Sequence, residues 1–307
     1  MAKTVFITGA SGCVGHYVVQ RLLEETDLYL YLLLRDAAKL RLALPPHRGE
    51  LLLGGLDSLE NYSALLGQVH YGIHLAACWG GTDAEVYRVN VERLMTLVDL
   101  LSPQCDRLLY FSTASLLDQH NQLIPEAATL GTDYIRTKYA ALTQLRQHPI
   151  YHKTTVAFPT LVFGGSPTQP YSHLSAGLRG VMAYAPLLRF VKAEGSLHFI
   201  HGYDIAQMVV PLLLSPPSQE LVLGMPRQTV NQLVAEFCQF CRVSLGWQLD
   251  LSPWMIDTLI RLFRIQMAPW DYFCLQQRHF TYRAIAPEDL GLSARYPTLS
   301  HLLADVV

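Results

Sequence analysis

The chain has 307 residues, half of them apolar and only 16% charged, with a formal net charge of −2. A charged share well below the usual quarter implies a large core, and a near-neutral balance without a lysine- or arginine-rich block excludes a nucleic-acid-binding surface. Cys13, Cys78, Cys105, Cys238, Cys241 and Cys274 are scattered in no disulfide-framework pattern, so a reducing compartment is expected.

The first predicted strand, 4–8, runs straight into Thr8-Gly9-Ala10-Ser11-Gly12-Cys13-Val14-Gly15 and an apolar-periodic helix over 13–25. A strand, a glycine-rich turn and a helix N-terminus make a site for a dinucleotide pyrophosphate. Gly9 supplies the turn, Gly12 the close approach of the phosphates, and Gly15 the close packing of helix on strand. Further strands are predicted at 29–34, 51–53, 70–75, 107–112 and 154–158, with helices at 84–101 and 133–147. Apolar runs alternating with helices describe an α/β fold of the Rossmann type, a doubly wound parallel sheet buried on both faces. The alternation breaks down after Pro159, and a strand–helix pair at 197–215 returns to it. The expected division is therefore a dinucleotide-binding domain over 1–165 with 195–215, and a smaller substrate lobe over 166–194 and 216–307. Within that lobe a strand is expected at 221–223 and helices at 229–243 and 253–266. The second of these helices is apolar all round, which favours burial over a membrane surface.

The end of the second strand bears on the cofactor. Arg35 stands 20 residues beyond Gly15, with Lys39 and Arg41 after it, and an arginine there suits the 2′-phosphate of NADP(H). The adjacent Asp36 pulls toward NAD(H), so NADP(H) is preferred and NAD(H) is the second choice.

Tyr134 and Lys138 are four residues apart at the start of a predicted helix and share one of its faces. An ammonium about 4 Å from the phenol contributes on the order of 4 kcal/mol at an effective dielectric near 20, enough to lower a pKa of about 10 toward neutrality. Such a tyrosine exchanges a proton with a carbonyl or alcohol oxygen. Thr113, at the carboxyl end of the fifth strand, is placed to bond the same oxygen, with Ser112 and Ser115 as competitors. Cys238 and Cys241 have the spacing of half a zinc site, but the surrounding segment is apolar and helical, so no metal is expected.

With these pieces in place the chain resembles the extended short-chain dehydrogenase/reductase family over nearly its whole length. Residues 8–15 match its glycine pattern, Ile73-His74-Leu75-Ala76-Ala77 its fourth-strand signature, and Asn90 its helix asparagine. Thr113, Tyr134 and Lys138 match its catalytic positions. Phe158-Pro159-Thr160-Leu161-Val162-Phe163-Gly164 resembles its segment beside the nicotinamide, and Phe199–Asp204 a later motif. The resemblance implies an enzyme in which Gly9, Ser11, Gly12, Cys13, Val14, Gly15, Arg35, Leu75, Ala76, Ala77, Tyr134, Lys138, Pro159, Leu161 and Val162 hold the cofactor. It also implies that Asn90 keeps a water for proton relay, and that a homodimer forms through the helices 84–101 and 133–147.

The departures narrow the chemistry. Gly55 stands where the family usually has an acid near the adenine, with Asp57 two residues on. Ala114-Ser115 replace the Asp-Glu of its dehydratases, and Leu197 and His198 replace the Arg-Asp common in its nucleotide-sugar members. Substrate-facing candidates are Trp79 to Thr82, Tyr171, His173 and parts of 176–194, aromatic and small with few charges. The expected activity is NADP(H)-dependent reduction of a carbonyl on a fairly apolar small molecule, with Tyr134 as proton donor. Arg179, Arg189 and Lys192 keep a nucleotide-sugar epimerase with bound NAD as the alternative, and a non-catalytic cofactor-binding module comes third. No apolar run reaches the roughly 18 residues of a membrane span, and no signal-peptide pattern precedes the first strand, so a cytoplasmic enzyme without a membrane span is expected.

Overall fold

A computed structural model describes residues 2–101, 104–215, 220–252, 254, 255, 258, 262 and 266–306. Six strands, β1 (Thr4–Thr8), β2 (Tyr29–Leu34), β3 (Gly49–Leu53), β4 (Tyr71–His74), β5 (Arg107–Phe111) and β6 (Thr154–Pro159), lie side by side in the order 3-2-1-4-5-6, every pair parallel. The order reverses between β1 and β4, and in open α/β sheets a ligand crevice opens at that point, beyond the carboxyl ends of the strands.

β2 reads Tyr-Leu-Tyr-Leu-Leu-Leu without alternation because helices cover both sides of it. One face is covered by α1 (Cys13–Glu25) and the helix Gly202–Leu214, which pack together over Val5, Ile7, Leu30 and Leu32. The other face carries Arg93–Leu101 and Asp133–Gln147, over Phe6, Leu108 and Tyr110. The predicted helix over 84–101 is three pieces: Asp83–Tyr87, a π-helical turn Arg88–Glu92, and Arg93–Leu101. A π turn adds a residue to the helical repeat and is frequent at functional sites; here Asn90 occupies it.

The division expected after residue 215 needs correcting. Glu220–Leu223 pairs parallel with β6, and Ala284–Ile285 pairs with that strand in turn, so both extend the central sheet to eight strands. The expected lobe thus returns two short strands to the sheet, the second only two residues long and carrying no period a sequence pattern can detect. The helix at 229–243 is observed as Val230–Phe240, closed at its start by a reciprocal Thr229–Gln232 capping box. The expected helix at 253–266 lies mostly outside the described residues. Cys238 is fully buried with its thiol 3.9 Å from the Ala185 carbonyl, and Cys241 packs against the small apolar cluster of Ala185, Phe237, Leu299 and Leu303. Among the described residues no helix is long and apolar enough to cross a membrane.

Candidate active site at the carboxyl ends of the strands

A cleft of about 540 Å³ opens over β1 and β4, lined on one side by Thr8, Gly9, Ser11 and Gly12 and on the other by Leu75, Ala76 and Ala77. Two glycines shape it for physical reasons. Gly9 has φ +78°, and a Cβ there would lie 2.6 Å from the backbone nitrogen of Ala76. A Cβ on Gly15 would overlap the carbonyl oxygen of Gly9 and come within 2.8 Å of Ala10 Cα, so α1 could not approach β1 as it does. Both obstacles are backbone and cannot rotate away. Gly15→Ala is therefore expected to destabilise the fold by about 2–3 kcal/mol, read by urea denaturation; a loss below about 0.5 kcal/mol would show that α1 tolerates displacement.

The N-terminus of α1 has Gly12 at its cap, no side-chain cap and no acidic residue in its first turn. Its free N–H groups and the positive end of its dipole are left for an anion, as a pyrophosphate requires. Cys13, Val14 and Gly15 form this first turn and supply its free backbone N–H groups, although they do not themselves line the cleft. Burial pushes the Cys13 thiol up to about 12, so it stays protonated there.

At the far end of the cleft Arg35 and Asp36 are engaged differently. Asp36 turns its carboxylate back to accept from the Ala38 backbone N–H at 3.0 Å, capping the short turn Ala37–Lys39. Arg35 lines the cleft and has no ion-pair partner among the described residues. Its side chain lies along Gly55, whose absent Cβ would sit 3.5 Å from Arg35 Cγ. The other charged group lining the cleft, Asp57, pairs with Arg93 at 2.9 Å and Arg88 at 3.5 Å.

At the opposite end Tyr134 and Lys138 meet beside Trp79, which lines the cleft. The helix Asp133–Gln147 starts at Thr132, whose hydroxyl accepts from Ile135 N–H, and presents Tyr134 and Lys138 toward the end of β5. Lys138 is 3% exposed; its Nζ donates to the Phe111 carbonyl at 2.8 Å and lies 4.9 Å from the Tyr110 ring centroid and 6.0 Å from that of Tyr134. The acidified phenol expected from the spacing is not what the structure shows. Burial holds the Tyr134 phenol above its ordinary range and lowers Lys138 to about 7, so desolvation outweighs mutual attraction at both groups. The spacing brings the two residues onto one face but says nothing of how much water reaches them.

Thr113 caps the turn Ala114–Leu116, accepting from the Ser115 N–H and donating to the Ser115 hydroxyl, both at 3.3 Å. Asn90 makes three direct contacts with the protein. Its Oδ1 accepts from Cys78 N–H at 2.7 Å, and its Nδ2 donates to the Cys78 carbonyl at 2.9 Å and the Thr137 hydroxyl at 3.0 Å. The side chain ties the loop after β4 to the helix that bears Tyr134. Pro159 ends β6 and Leu161 and Val162 lie past it, and none of the three lines the cleft; Leu161–Phe163 instead pairs with Phe199–His201. Tyr171 packs against Gly165, away from the cleft, whereas His173, first residue of the helix His173–Met182, lines it.

The ring of Trp79 lies face to face with that of Tyr134, centroids 3.8 Å apart and planes 17° from parallel, with His173 at 5.4 Å on the indole. Such a pair adds about 0.5–1.5 kcal/mol beyond its buried area. Trp79 also lines the dinucleotide cleft, so it stands between that cleft and the phenol. Sequence reasoning missed Tyr110 and His74. His74 is fully buried, bonds the Thr8 hydroxyl through Nδ1 at 2.9 Å and stacks on Tyr110; burial, with Lys138 nearby, lowers it to about 3. Within an apolar strand neither gave any sign of facing a lysine.

The model of the NAD dependent epimerase/dehydratase family matches residues 5–224, most of the chain. The chain belongs to that family. As a family member it is an NAD(P)-dependent enzyme of the extended short-chain dehydrogenase/reductase type. The crystal structure of gox2253 is similar, with a TM-score of 0.73, 19% identity, and 99% of this chain and 96% of that one covered. The terminal R domain from the myxalamid PKS-NRPS biosynthetic pathway is similar at TM-score 0.71 and 17% identity, over 99% and 89%. So is dTDP-glucose 4,6-dehydratase from Bacillus anthracis, solved with NAD, at TM-score 0.66 and 13% identity, over 99% and 96%. At such identities these likenesses establish the shared fold. No curated protein sequence matches the chain. The family binds a nicotinamide dinucleotide, and the residues present fit one: an uncapped helix N-terminus, a glycine turn no side chain can enter, and a cleft running from Arg35 to Trp79.

Proposed function

We propose that this protein is an NADP(H)-dependent reductase of a carbonyl group on a fairly apolar small molecule. The observation that carries the reading is the charge at the outer end of the cleft, where Arg35 is free to meet a phosphate while Asp36 is spent on its own turn. An enzyme that regenerates its cofactor in each cycle has no use for the reducing NADPH pool, whereas a net reductase draws on it. A bound nicotinamide would supply the hydride. Tyr134 would donate its hydroxyl proton to the carbonyl oxygen, and burial that raises its pKa keeps it in the donor form through neutral pH. Lys138 would contribute positive charge under the phenol, and Thr113 a hydroxyl toward the same oxygen. Asn90 would hold the Cys78–Trp79 loop in register with the helix of Tyr134.

Arg35→Ser tests the cofactor assignment. A charge-assisted contact to phosphate is worth about 1.5–3 kcal/mol, so NADPH affinity should fall about 10–100-fold by calorimetry, with NADH affinity changed less than about threefold. Equal losses for both cofactors would remove the case for NADP(H).

The second reading, a nucleotide-sugar epimerase with retained NAD, draws support from the family and from neighbours such as the nucleoside-diphosphate-sugar epimerase PA4631 of Pseudomonas aeruginosa. Against it, His198 is buried and neutral, accepting from Tyr282 N–H and bonded to the Met225 carbonyl. Arg189 is folded over the Phe190 ring. Purified protein carrying bound nicotinamide and interconverting sugar epimers without net redox would favour this alternative.

A further inference from the structure

The reduction proposed above needs Tyr134 uncovered, yet Trp79 lies flat on its ring. The loop bearing the indole is fixed at both ends, and between them the described residues show one hydrogen bond, from the Cys78 thiol to the Gly80 carbonyl at 3.0 Å. On one side the Cys78 backbone is clamped through both its N–H and its carbonyl by Asn90. On the other, Thr82 and Glu85 form a reciprocal capping box. Between these anchors stand Trp79, Gly80 and Gly81; Gly80 has open space around it and Gly81 has φ +122°. The indole is 61% exposed, its N–H has no hydrogen-bond partner among the described residues, and its ring neighbours are Tyr134 and His173. A large side chain held by ring contacts alone, on a glycine pivot between two rigid anchors, is built to exchange one ring partner for another.

We propose that Trp79 is the specificity-determining residue of this site, a movable aromatic wall that leaves Tyr134 when a flat apolar group of the substrate takes the phenol's place against it. The site then selects carbonyl compounds with an aryl or conjugated ring beside the carbonyl and turns away polyhydroxylated sugars. Exchanging one aromatic face for another keeps the stacking contact. Hydroxyls pressed against an indole lose water and gain no partner. Because Trp79 also lines the dinucleotide cleft, its departure from Tyr134 joins that cleft to the proton donor.

This inference rests on the carbonyl-reducing reading, so its test has one arm that needs no turnover. The emission belonging to Trp79, taken as wild type minus Trp79→Phe, is followed while acetophenone or 2-butanone is added to protein saturated with NADP+, a pairing that cannot react. A saturable change with acetophenone, at least fivefold larger than with 2-butanone at equal concentration, is expected. No change, or equal changes, overturns the wall whatever the activity. In the turnover arm, Trp79→Ala should lose at least tenfold in kcat/KM for an aryl aldehyde and less than threefold for a straight-chain aldehyde, with Trp79→Phe within threefold on both. Equal losses on the two aldehydes overturn the wall and make Trp79 a structural residue. If wild type reduced no carbonyl compound while the emission still separated the two ketones, the reducing reading would fail and the wall would stand.

Discussion

Tyr134→Phe is expected to lower NADPH-driven carbonyl reduction by about 10²–10⁴-fold, nearly all of it in kcat, which is what a positioned general acid contributes. The substitution is a clean one here. The Tyr134 hydroxyl has no hydrogen-bond partner among the described residues, so its removal strands no buried group. Phenylalanine keeps a ring for Trp79 to stack on. Folding stability should therefore change by less than about 1 kcal/mol, and NADPH affinity by less than about threefold. Steady-state kinetics on an aldehyde panel, with thermal unfolding and cofactor titration on the same preparations, separates these quantities. A loss under tenfold with both controls unchanged would mean that another group delivers the proton. Ser112, with a buried hydroxyl beside Tyr110, would be the first candidate to examine.

How far the sequence could be read differs along the chain, and the division follows the range of the interactions. The strands from 4 to 159 and their parallel, doubly wound arrangement follow from short-range pattern: the strands are short, mostly apolar runs, and helical periods lie between several of them. The glycine turn was legible because strand and helix flank it directly. Gly15 is needed for contacts with Gly9 and Ala10, a few residues away. The charge at Arg35 and Asp36 was visible, but not which of them faces the cleft. That depends on a backbone turn which brings Ala38 N–H to the Asp36 carboxylate. Long-range packing was invisible. Asn90 was identified without its partner Cys78, Trp79 without its stack on Tyr134, and the strand Ala284–Ile285 escaped because two residues have no period. The sign of the Tyr134 shift was misjudged because spacing fixes which groups meet and not how dry they are.

That dryness makes Lys138→Met the most informative change in the molecule. Burial lowers Lys138 from an ordinary 10.5 to about 7 in the native state. Between about pH 7 and 10.5 the unfolded chain holds a proton that the native protein has released, so unfolding takes up a proton and native stability rises with pH across that window. Below about 7 both states carry the charge and the penalty is constant. At each pKa unit worth 1.36 kcal/mol, the native protein at neutral pH gives up on the order of 4 kcal/mol to keep an ammonium buried. Methionine, of similar length and uncharged, removes that cost but leaves the Phe111 carbonyl without its donor, which returns about 1–3 kcal/mol. The net expectation is a variant more stable than wild type by about 1–3 kcal/mol at pH 7, with carbonyl reduction reduced at least a hundredfold. Its advantage should shrink steadily from about pH 7 toward pH 10, because the cost of holding native Lys138 discharged falls as the pH nears the 10.5 at which the unfolded lysine discharges too. Urea denaturation of both proteins at pH 6, 7, 8.5 and 10 reads this directly, and an advantage that does not vary with pH would show that packing rather than charge is responsible. The wild-type rate of reduction should also decline above about pH 7, where the native lysine discharges while the phenol, raised by the same burial, still holds its proton. A stability gain coupled to a loss of catalysis is the signature of a charge retained for function against the preference of the fold.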